Sequence, residues 1–174
     1  FYPASGGVET YVYELSRRLV ERGHDVAVIT SNILRFTNKK LKDFEIIDGI
    51  KVYRVPFKLI VRNNVSLPAT KLILDLDYDV LHIHTMGYFL DIAPLIKSVK
   101  KCKIVLSTHG GIFHTGQMKL LKKIYFNNIA KLSLKFVDYI IAHSRNDEKL
   151  FSGISDKKRV KICVKCLKTT NREK

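Results

Sequence analysis

Short apolar segments rich in β-branched residues recur along the chain, with helix-like segments between them. Four of them are short enough for buried strands: DVAVIT (25–30), DVLHIH (79–84), KIVLST (103–108) and VDYIIAH (137–143). RVKICV (159–164) predicts a last strand, and IKVYRV (50–55), in which apolar and polar side chains alternate, predicts a more exposed one. Strands that alternate with helices indicate a parallel sheet with helices on both faces, which is a Rossmann-like α/β domain.

The segments between the predicted strands have helical spacing. Four apolar residues line one face of a first helix: Val8, Val12, Leu15 and Leu19. Gly23 follows where a left-handed residue ends that helix. Further helices are predicted over residues 65–76, 88–101 and 117–136, whereas residues 32–49 are expected to form a loop. Ser144 stands three residues before Asp147, and this spacing predicts the N-cap of a short helix through Leu150.

Gly6 and Gly7 stand directly before the first helix. The N-terminus of a helix offers unpaired backbone N–H groups and partial positive charge, and glycine lets a phosphate or sugar approach the backbone closely. The pair therefore fits either a phosphate- or sugar-binding turn or a plain tight turn into the helix. No G-x-G-x-x-G sequence occurs in the chain, which argues against a dinucleotide-dependent oxidoreductase on the same fold.

Histidines stand at the carboxyl ends of predicted strands, where α/β sheets bind their ligands. His109 is followed by Gly110 and can donate to a sugar hydroxyl or phosphate, act as an acid or base, or be a hydrogen-bonded structural residue. His82 and His84 share one face of their strand, a geometry that can begin a metal site. No clear third ligand accompanies them, and the C-x-x-C pair at 163–166 lacks two further ligands, so no metal is expected.

Positive charge is concentrated in the later part of the chain. The sequence has 31 basic and 16 acidic residues, yet residues 1–34 carry a net charge of −1. The predicted helix over 117–136 contains no acidic residue and five lysines: Lys119, Lys122, Lys123, Lys131 and Lys135. Such a surface either attracts nucleic acid, anionic lipid headgroups or phosphorylated substrates, or is a solvated lysine face. No nucleic-acid-binding motif accompanies it, so no nucleic-acid partner is expected.

Four segments resemble glycosyltransferase family 4 in order and spacing: FYPASGGVETYVYELSRRLVERGHDVAVIT, DYDVLHIH, IVLSTHGG and VDYIIAHSRNDEKLF. The resemblance covers residues 1–160 and is to the N-terminal domain of these retaining enzymes, which consist of two Rossmann-like lobes in the GT-B architecture. It implies transfer of a hexose from a nucleotide sugar to a glycolipid, polysaccharide or other acceptor. The N-terminal lobe mostly binds the acceptor and the C-terminal lobe the nucleotide, and no cofactor or metal is implied.

The resemblance also implies roles for single residues. The glycine pair faces the donor's diphosphate and sugar across the cleft, and His109, the expected catalytic residue, lies near the transferred sugar. A leaving diphosphate needs N–H groups and positive charge to stabilise it, which agrees with this arrangement. Together with the strand-end residues, the expected donor- and acceptor-binding set is Gly6, Gly7, Glu9, His84, Gly110 and Ser144.

Two features depart from that family. Its members have an apolar strand, the first and central one of the sheet, just before the segment that here begins at Phe1. After residue 160 the chain continues as a basic tail, 161–174, where the family has a further strand, Pro-Asn-Gly and the donor-binding lobe. We therefore expect a sheet without its first strand and little transferase activity from this chain by itself. A separately encoded C-terminal lobe is an open alternative.

Two functions remain compatible with the sequence. One is the acceptor-side part of such a transferase, with the lysine-rich helix against an anionic membrane. The other is a non-catalytic acceptor- or membrane-binding module. No apolar run approaches the roughly 20 residues of a membrane-spanning helix, and the three cysteines do not suggest a disulfide framework. A cytoplasmic protein is expected, with peripheral contact to the inner face of the membrane.

Overall fold

The computed structural model describes residues 1–34, 37, 39–60, 63–110 and 124–163. The chain divides into two compact units, Phe1–Leu76 and Asp77–Lys174. Within the described residues, unit 1 contains a three-stranded sheet and a two-stranded hairpin, and unit 2 contains a four-stranded parallel sheet. The parallel sheet of unit 2 confirms the predicted α/β class.

Unit 1 contains a three-stranded sheet of order β1–β3–β2, with β1 at Ala27–Ser31, β2 at Phe44–Ile47 and β3 at Ile50–Val55. β1 runs parallel to β3, and β2 runs antiparallel to it. The remaining elements are helix α1, the hairpin β4–β5 and helix α2: Gly7–Glu21, Lys58–Ile60, Asn63–Val65 and Leu67–Asp75. β1 is half-buried rather than buried as expected, since it is the terminal strand of its sheet within the described residues.

The strand β2 lies in the segment 32–49 that was expected to form a loop, so that expectation is wrong for Phe44–Ile47. The turn into β3 consists of Asp48 and Gly49, which both have positive φ, 48° and 78°. Asp-Gly with two positive φ angles is the turn that best matches the twist of a two-residue hairpin. The Asp-Gly pair is therefore the sequence signal for this hairpin, because β2 itself is too short to show a clear pattern.

Unit 2 contains four parallel strands in the order β6–β7–β8–β9. Their bounds are Val80–His84, Lys103–Ser107, Tyr139–Ala142 and Val160–Ile162. The central strands β7 and β8 carry the core, in which Ile104, Leu106 and Ile140 have no exposed surface. All four strands were predicted, each within three residues of its observed bounds.

The helices of unit 2 connect these strands. Helix α3 (Tyr88–Asp91) and helix α4 (Ala93–Val99) replace the single helix predicted over 88–101. The break falls at Ile92, because Pro94 has no N–H to continue the hydrogen-bond ladder. Residues 124 and 125 are helical, followed by a π-helical turn at Phe126–Ala130 and helix α5 at Lys131–Leu134. Helix α6 is Arg145–Ser152, and a 3₁₀ turn at Lys157–Arg159 leads into β9.

Candidate active site

Four histidines converge at the carboxyl end of the sheet in unit 2. His84 and His109 are hydrogen-bonded, with 3.0 Å between Nδ1 of His84 and Nε2 of His109. The His82 ring lies 4.2 Å from that of His84, and the His143 ring stacks on His109 at 4.3 Å. The parallel register places His84 beside Ser107, the last residue of β7, so the strand ends bring these side chains together. This confirms that His82 and His84 share one face.

Burial favours the neutral form of three of these histidines. It lowers the pKa of His84 to about 2, and the nearby His82, His109 and His143 lower it further in the same direction. Burial also lowers the pKa of His82 to about 4, and it lowers that of His143. A hydrogen bond between two neutral imidazoles requires a proton on one nitrogen and none on the other, so the tautomers of His84 and His109 are coupled. The cluster is therefore suited to donating and accepting hydrogen bonds rather than to carrying permanent charge.

A buried carboxylate holds the turn that carries His109. Asp147, which is only 4% exposed, accepts a hydrogen bond from the Thr108 hydroxyl at 2.9 Å and another from the Gly110 N–H at 3.2 Å, both at Oδ2. These two donors flank His109, whose φ of 45° is rare for a residue other than glycine. Asp147 thus fixes a strained backbone at the point where the ring must be aimed.

Ser144 contributes to the same arrangement. Its hydroxyl oxygen accepts the Asp147 N–H at 3.1 Å and forms the N-cap of α6, which confirms the predicted cap. The serine therefore fixes the start of the helix that carries Asp147, and through Asp147 the loop of His109. Its position at the strand end is compatible with ligand contact as well.

The glycine pair lies in unit 1, at the N-terminus of α1. Gly6 is the N-cap, and no side chain caps this helix. A Cβ on Gly6 would meet the carboxylate of Glu9, so this acidic group of the first turn lies over Gly6 and interacts favourably with the helix dipole. Nothing lies within 4 Å of a Cβ built on Gly7, so there is space for an approaching group at that residue.

A buried arginine anchors the segment in front of the glycine pair. The Arg54 side chain on β3 has no exposed surface and donates to the Tyr2 carbonyl at 2.8 Å, as well as to the Glu45 carboxylate. This contact ties the first residues of the chain to the sheet of unit 1. The sequence analysis did not single out this arginine, although it shares the buried face of β3 with Ile50 and Val52.

The structure therefore brings together only part of the predicted site. His84, His109, Gly110 and Ser144 lie at one end of the sheet in unit 2, whereas Gly6, Gly7 and Glu9 belong to unit 1. Lys131 and Lys135 are exposed on the helical segment 124–136. Lys119, Lys122 and Lys123 lie outside the described residues, as does most of the basic tail. Asp147, Thr108 and His143 were not predicted as site residues, although the S-x-x-D spacing already pointed to Asp147.

Three findings concern metals, cysteines and membranes. Within the described ranges, no group of three or more His, Cys, Asp or Glu side chains could hold a metal ion. Cys102 is a buried free thiol, whereas Cys163 is disulfide-bonded, which the sequence analysis did not predict. Of the helices in the described part of the chain, none has the length and apolar character that crossing a membrane requires.

Comparison with known proteins identifies the family of this chain. Residues 5–162 match the family model described as Glycosyltransferase Family 4. The chain belongs to glycosyltransferase family 4. This membership accounts for the parallel sheet of unit 2 as part of a Rossmann-like N-terminal lobe, and it confirms the resemblance found in the sequence.

The family 4 chain is similar to transferases from bacteria and yeast. It is 30% identical over 158 residues to a GDP-mannose:cellobiosyl-diphosphopolyprenol alpha-mannosyltransferase of Komagataeibacter xylinus, covering 89% of this chain and 39% of that protein. A protein of the same description from Xanthomonas campestris is 28% identical over 93% of this chain and 43% of its own length. The phosphatidylinositol N-acetylglucosaminyltransferase GPI3 subunit of Saccharomyces cerevisiae is 27% identical over 83% of this chain and 32% of its own length. The chain thus spans about two fifths of the bacterial relatives.

Proposed function

We propose that this family 4 chain is the acceptor-side part of a retaining glycosyltransferase, which moves a sugar from a nucleotide sugar to a lipid-linked acceptor. The observation that carries the proposal is the family match over residues 5–162. The names of the relatives support the substrate class, since they specify a diphosphopolyprenol-linked sugar or phosphatidylinositol as acceptor. In this proposal residues 1–160 form the acceptor-side domain, and a donor-binding lobe comes from the remaining length found in the relatives.

The proposed roles follow the geometry of the two units. His109 is the proposed catalytic residue, because it is aimed by Asp147 and its tautomer is coupled to that of His84. A neutral imidazole can donate one hydrogen bond to a sugar hydroxyl or accept its proton. Gly110 and Ser144 are proposed to contact the sugar or acceptor at the same strand ends. The proposed contacts to the donor's diphosphate and sugar, as distinct from its nucleotide, are Gly6, Gly7 and Glu9, with the opening at Gly7 as the approach.

The transferase proposal is tested with the full-length protein that contains this chain, supplied with GDP-mannose and polyprenol-linked acceptors. His109→Ala is expected to lower kcat by about 100-fold or more, which is the usual contribution of a positioned acid or base. His24→Ala changes an exposed histidine of unit 1 and serves as the matched control. Equal activity of the two variants would contradict the role of His109, and absence of transfer to any lipid-linked acceptor would contradict the function.

The second part of the proposal is a membrane contact. The same contact is expected if the chain is instead a non-catalytic membrane-binding module. The segment 124–136 buries Phe126, Ala130 and Leu134 but exposes an apolar row consisting of Ile124, Ile129, Leu132 and Phe136. Lys131 and Lys135 lie exposed beside this row. Apolar side chains flanked by lysines are typical of helices that lie in the surface of an anionic membrane. Lys119, Lys122 and Lys123 are proposed to extend this surface.

Vesicle binding tests the membrane contact separately from catalysis. The variant Ile129→Ser/Leu132→Ser makes two half-exposed apolar side chains polar, at 52% and 55% exposure. We expect it to weaken binding to phosphatidylserine vesicles by at least tenfold, because about 0.8 kcal/mol is lost for each CH₂ group withdrawn from the bilayer and a factor of ten corresponds to about 1.4 kcal/mol. The control Ile46→Ser/Leu59→Ser makes the same change on unit 1. Equal binding to neutral and anionic vesicles at low salt would rule out the electrostatic part of the contact.

A further inference from the structure

A second concave surface lies at the opposite edge of the sheet in unit 2. It is a depression of about 410 Å³, within the range of small-molecule sites. Its lining includes Lys103, the first residue of β7, Tyr139, the first residue of β8, and Arg159, which directly precedes β9. These are the amino ends of the strands, whereas the histidine cluster lies at their carboxyl ends. The depression is therefore separate from the candidate active site.

Positive charge dominates this depression. Five basic side chains line it, and Asp138 is the acidic residue among them: Lys97, Lys103, Lys135, Lys158 and Arg159. The lining thus carries a formal excess of four positive charges. Like charges placed around one concave surface repel each other, and an anion in the depression relieves that repulsion.

Two of the five cations are already paired with Asp138. Lys97 donates to Asp138 at 2.7 Å and to the Cys102 carbonyl at 2.7 Å, and Lys103 approaches the same carboxylate at 3.3 Å. Burial by itself would raise the pKa of Asp138, but the bonds from Lys97, the Ile104 N–H and Lys103 lower it, so the group is ionised. These contacts fix Asp138 as a structural counterion and leave the other three cations to a ligand.

The remaining cations have no acidic partner in the described part of the chain. Lys135 and Lys158 form no ion pair there. Arg159 uses Nη1 to donate to the carbonyls of Lys135 and Val137, at 3.3 and 3.4 Å, which positions the guanidinium beside the depression. An arginine held by backbone contacts loses less entropy when it binds an anion, since its position is already fixed.

We propose that this depression binds a phosphorylated group with at least two negative charges. Three cations without an acidic partner around one concavity match the charge and hydrogen-bond acceptors of a phosphomonoester or diphosphate. Phe136 and Tyr139 line the same depression and offer apolar contact to whatever carries the phosphate. The phosphate can belong to a soluble molecule or to a lipid headgroup, because Lys135 and Phe136 also lie on the proposed membrane-binding segment.

The test uses the 174-residue chain and inorganic pyrophosphate as the probe, with binding followed by calorimetry and by NMR shifts of residues around Tyr139. Lys135→Gln/Lys158→Gln removes two of these three cations and is expected to weaken binding about tenfold. Lys42→Gln/Lys71→Gln removes the same charge from two exposed lysines of unit 1, and we expect it to change the affinity for pyrophosphate less than about twofold. Both pairs are exposed, so the fold is retained, which circular dichroism checks.

A vesicle arm distinguishes the two sources of the phosphate. Phosphatidic acid vesicles are compared with phosphatidylcholine vesicles for the same two double variants. If Lys135→Gln/Lys158→Gln, but not the control pair, weakens binding to both pyrophosphate and phosphatidic acid vesicles, the site is assigned to a lipid headgroup. If it weakens binding to pyrophosphate alone, the site is assigned to a soluble phosphate. Equal weakening in the two double variants, or no saturable pyrophosphate binding, overturns the proposal. Pyrophosphate binding is measured without any sugar transfer, so the phosphate site can be refuted while the transferase function stands, and the reverse.

Discussion

His109 has a backbone conformation that is costly for a residue with a side chain, and the residues around it show what maintains that conformation. The Thr108 hydroxyl and the Gly110 N–H both donate to the buried carboxylate of Asp147. The residues on either side of the histidine are thereby held by one acceptor. A strained residue that is fixed on both sides is typical of a position where orientation matters for function.

Asp147→Asn tests this clamp. The amide still fits the space but gives up the charge that strengthens both hydrogen bonds, so we expect a loss of about 1.5–3 kcal/mol in the free energy of unfolding. Urea denaturation of the purified chain measures it. The neighbouring Glu148→Gln removes the same charge from the same helix and is expected to change stability by less than about 0.5 kcal/mol. Equal effects of the two substitutions would show that Asp147 does not hold the turn.

The buried histidines make the stability of the chain depend on pH. The pKa of His84 is lowered to about 2 and that of His82 to about 4, whereas an unfolded histidine has a pKa of about 6.5. Below pH 6.5 the unfolded state therefore binds more protons, and the free energy of unfolding falls as the pH is lowered. Each such histidine contributes up to about 1.4 kcal/mol per pH unit, and for His82 the loss ends near pH 4.

His84→Gln is expected to flatten this dependence. Urea denaturation at pH 7.5 and pH 5 gives the difference in unfolding free energy, and the variant should lose about 1–2 kcal/mol less than the unchanged chain between these two values. His24→Gln replaces an exposed histidine and should leave the difference unchanged. If His84→Gln shows the same pH dependence as the unchanged chain, His84 is not the buried neutral group described above.

At the scale of elements, the sequence predicted those strands and helices whose apolar pattern is long or sharply bounded. The four strands of unit 2 are apolar, β-branched and bounded by loops, and they were placed to within three residues. The strand β2 was missed because only two of its four residues face inward, while Phe44 and Ile46 are exposed. Its position is determined by pairing with β3 and by the Asp48–Gly49 turn, which single-segment periodicity does not record.

Gly49→Ala tests the importance of that turn. Gly49 has a φ of 78°, and a Cβ there would lie 2.8 Å from a methyl group of Val20. Both the backbone conformation and the contact disfavour alanine, so a loss of more than about 1 kcal/mol in unfolding free energy is expected. Gly153→Ala is the control, since its φ of −79° is ordinary and its Cβ would make no closer contact than 3.4 Å. A neutral Gly49→Ala would mean that the hairpin tolerates another turn.

At the scale of the whole molecule, the candidate site was predictable only where one sheet assembles it. The carboxyl ends of parallel strands meet at one edge, so His84, His109 and Ser144 could be grouped from sequence. Asp147 was missed as a site residue, because its role depends on how α6 packs against the His109 loop. The glycine pair was singled out by its place directly before the first helix, and the family resemblance then favoured a ligand-binding role. Its contacts with Glu9 and with the segment anchored by Arg54 depend on the fold of unit 1.

The 174-residue chain alone is expected to show little or no sugar transfer. It spans 39% of the Komagataeibacter relative, and in the proposed function the donor nucleotide binds to residues beyond that span. Release of GDP from GDP-mannose in the presence of lipid-linked acceptors measures turnover. The full-length Komagataeibacter relative serves as the positive control. Turnover by the isolated chain at a comparable rate would show that the donor binds within these 174 residues.

Paired strands also differ in how far apart along the chain they lie. In unit 1, β2 and β3 are joined by a two-residue turn, from Ile47 to Ile50. In unit 2 every pairing is parallel, and at least 17 residues separate each strand from the next. Non-local pairings form slowly, because the entropy of closing a long loop is lost before the contacts are gained. The β2–β3 hairpin therefore has a kinetic advantage over the parallel pairings, which include β1–β3 of unit 1. Since this hairpin also leaves the ribosome before unit 2, we expect the histidine cluster to be completed late in folding.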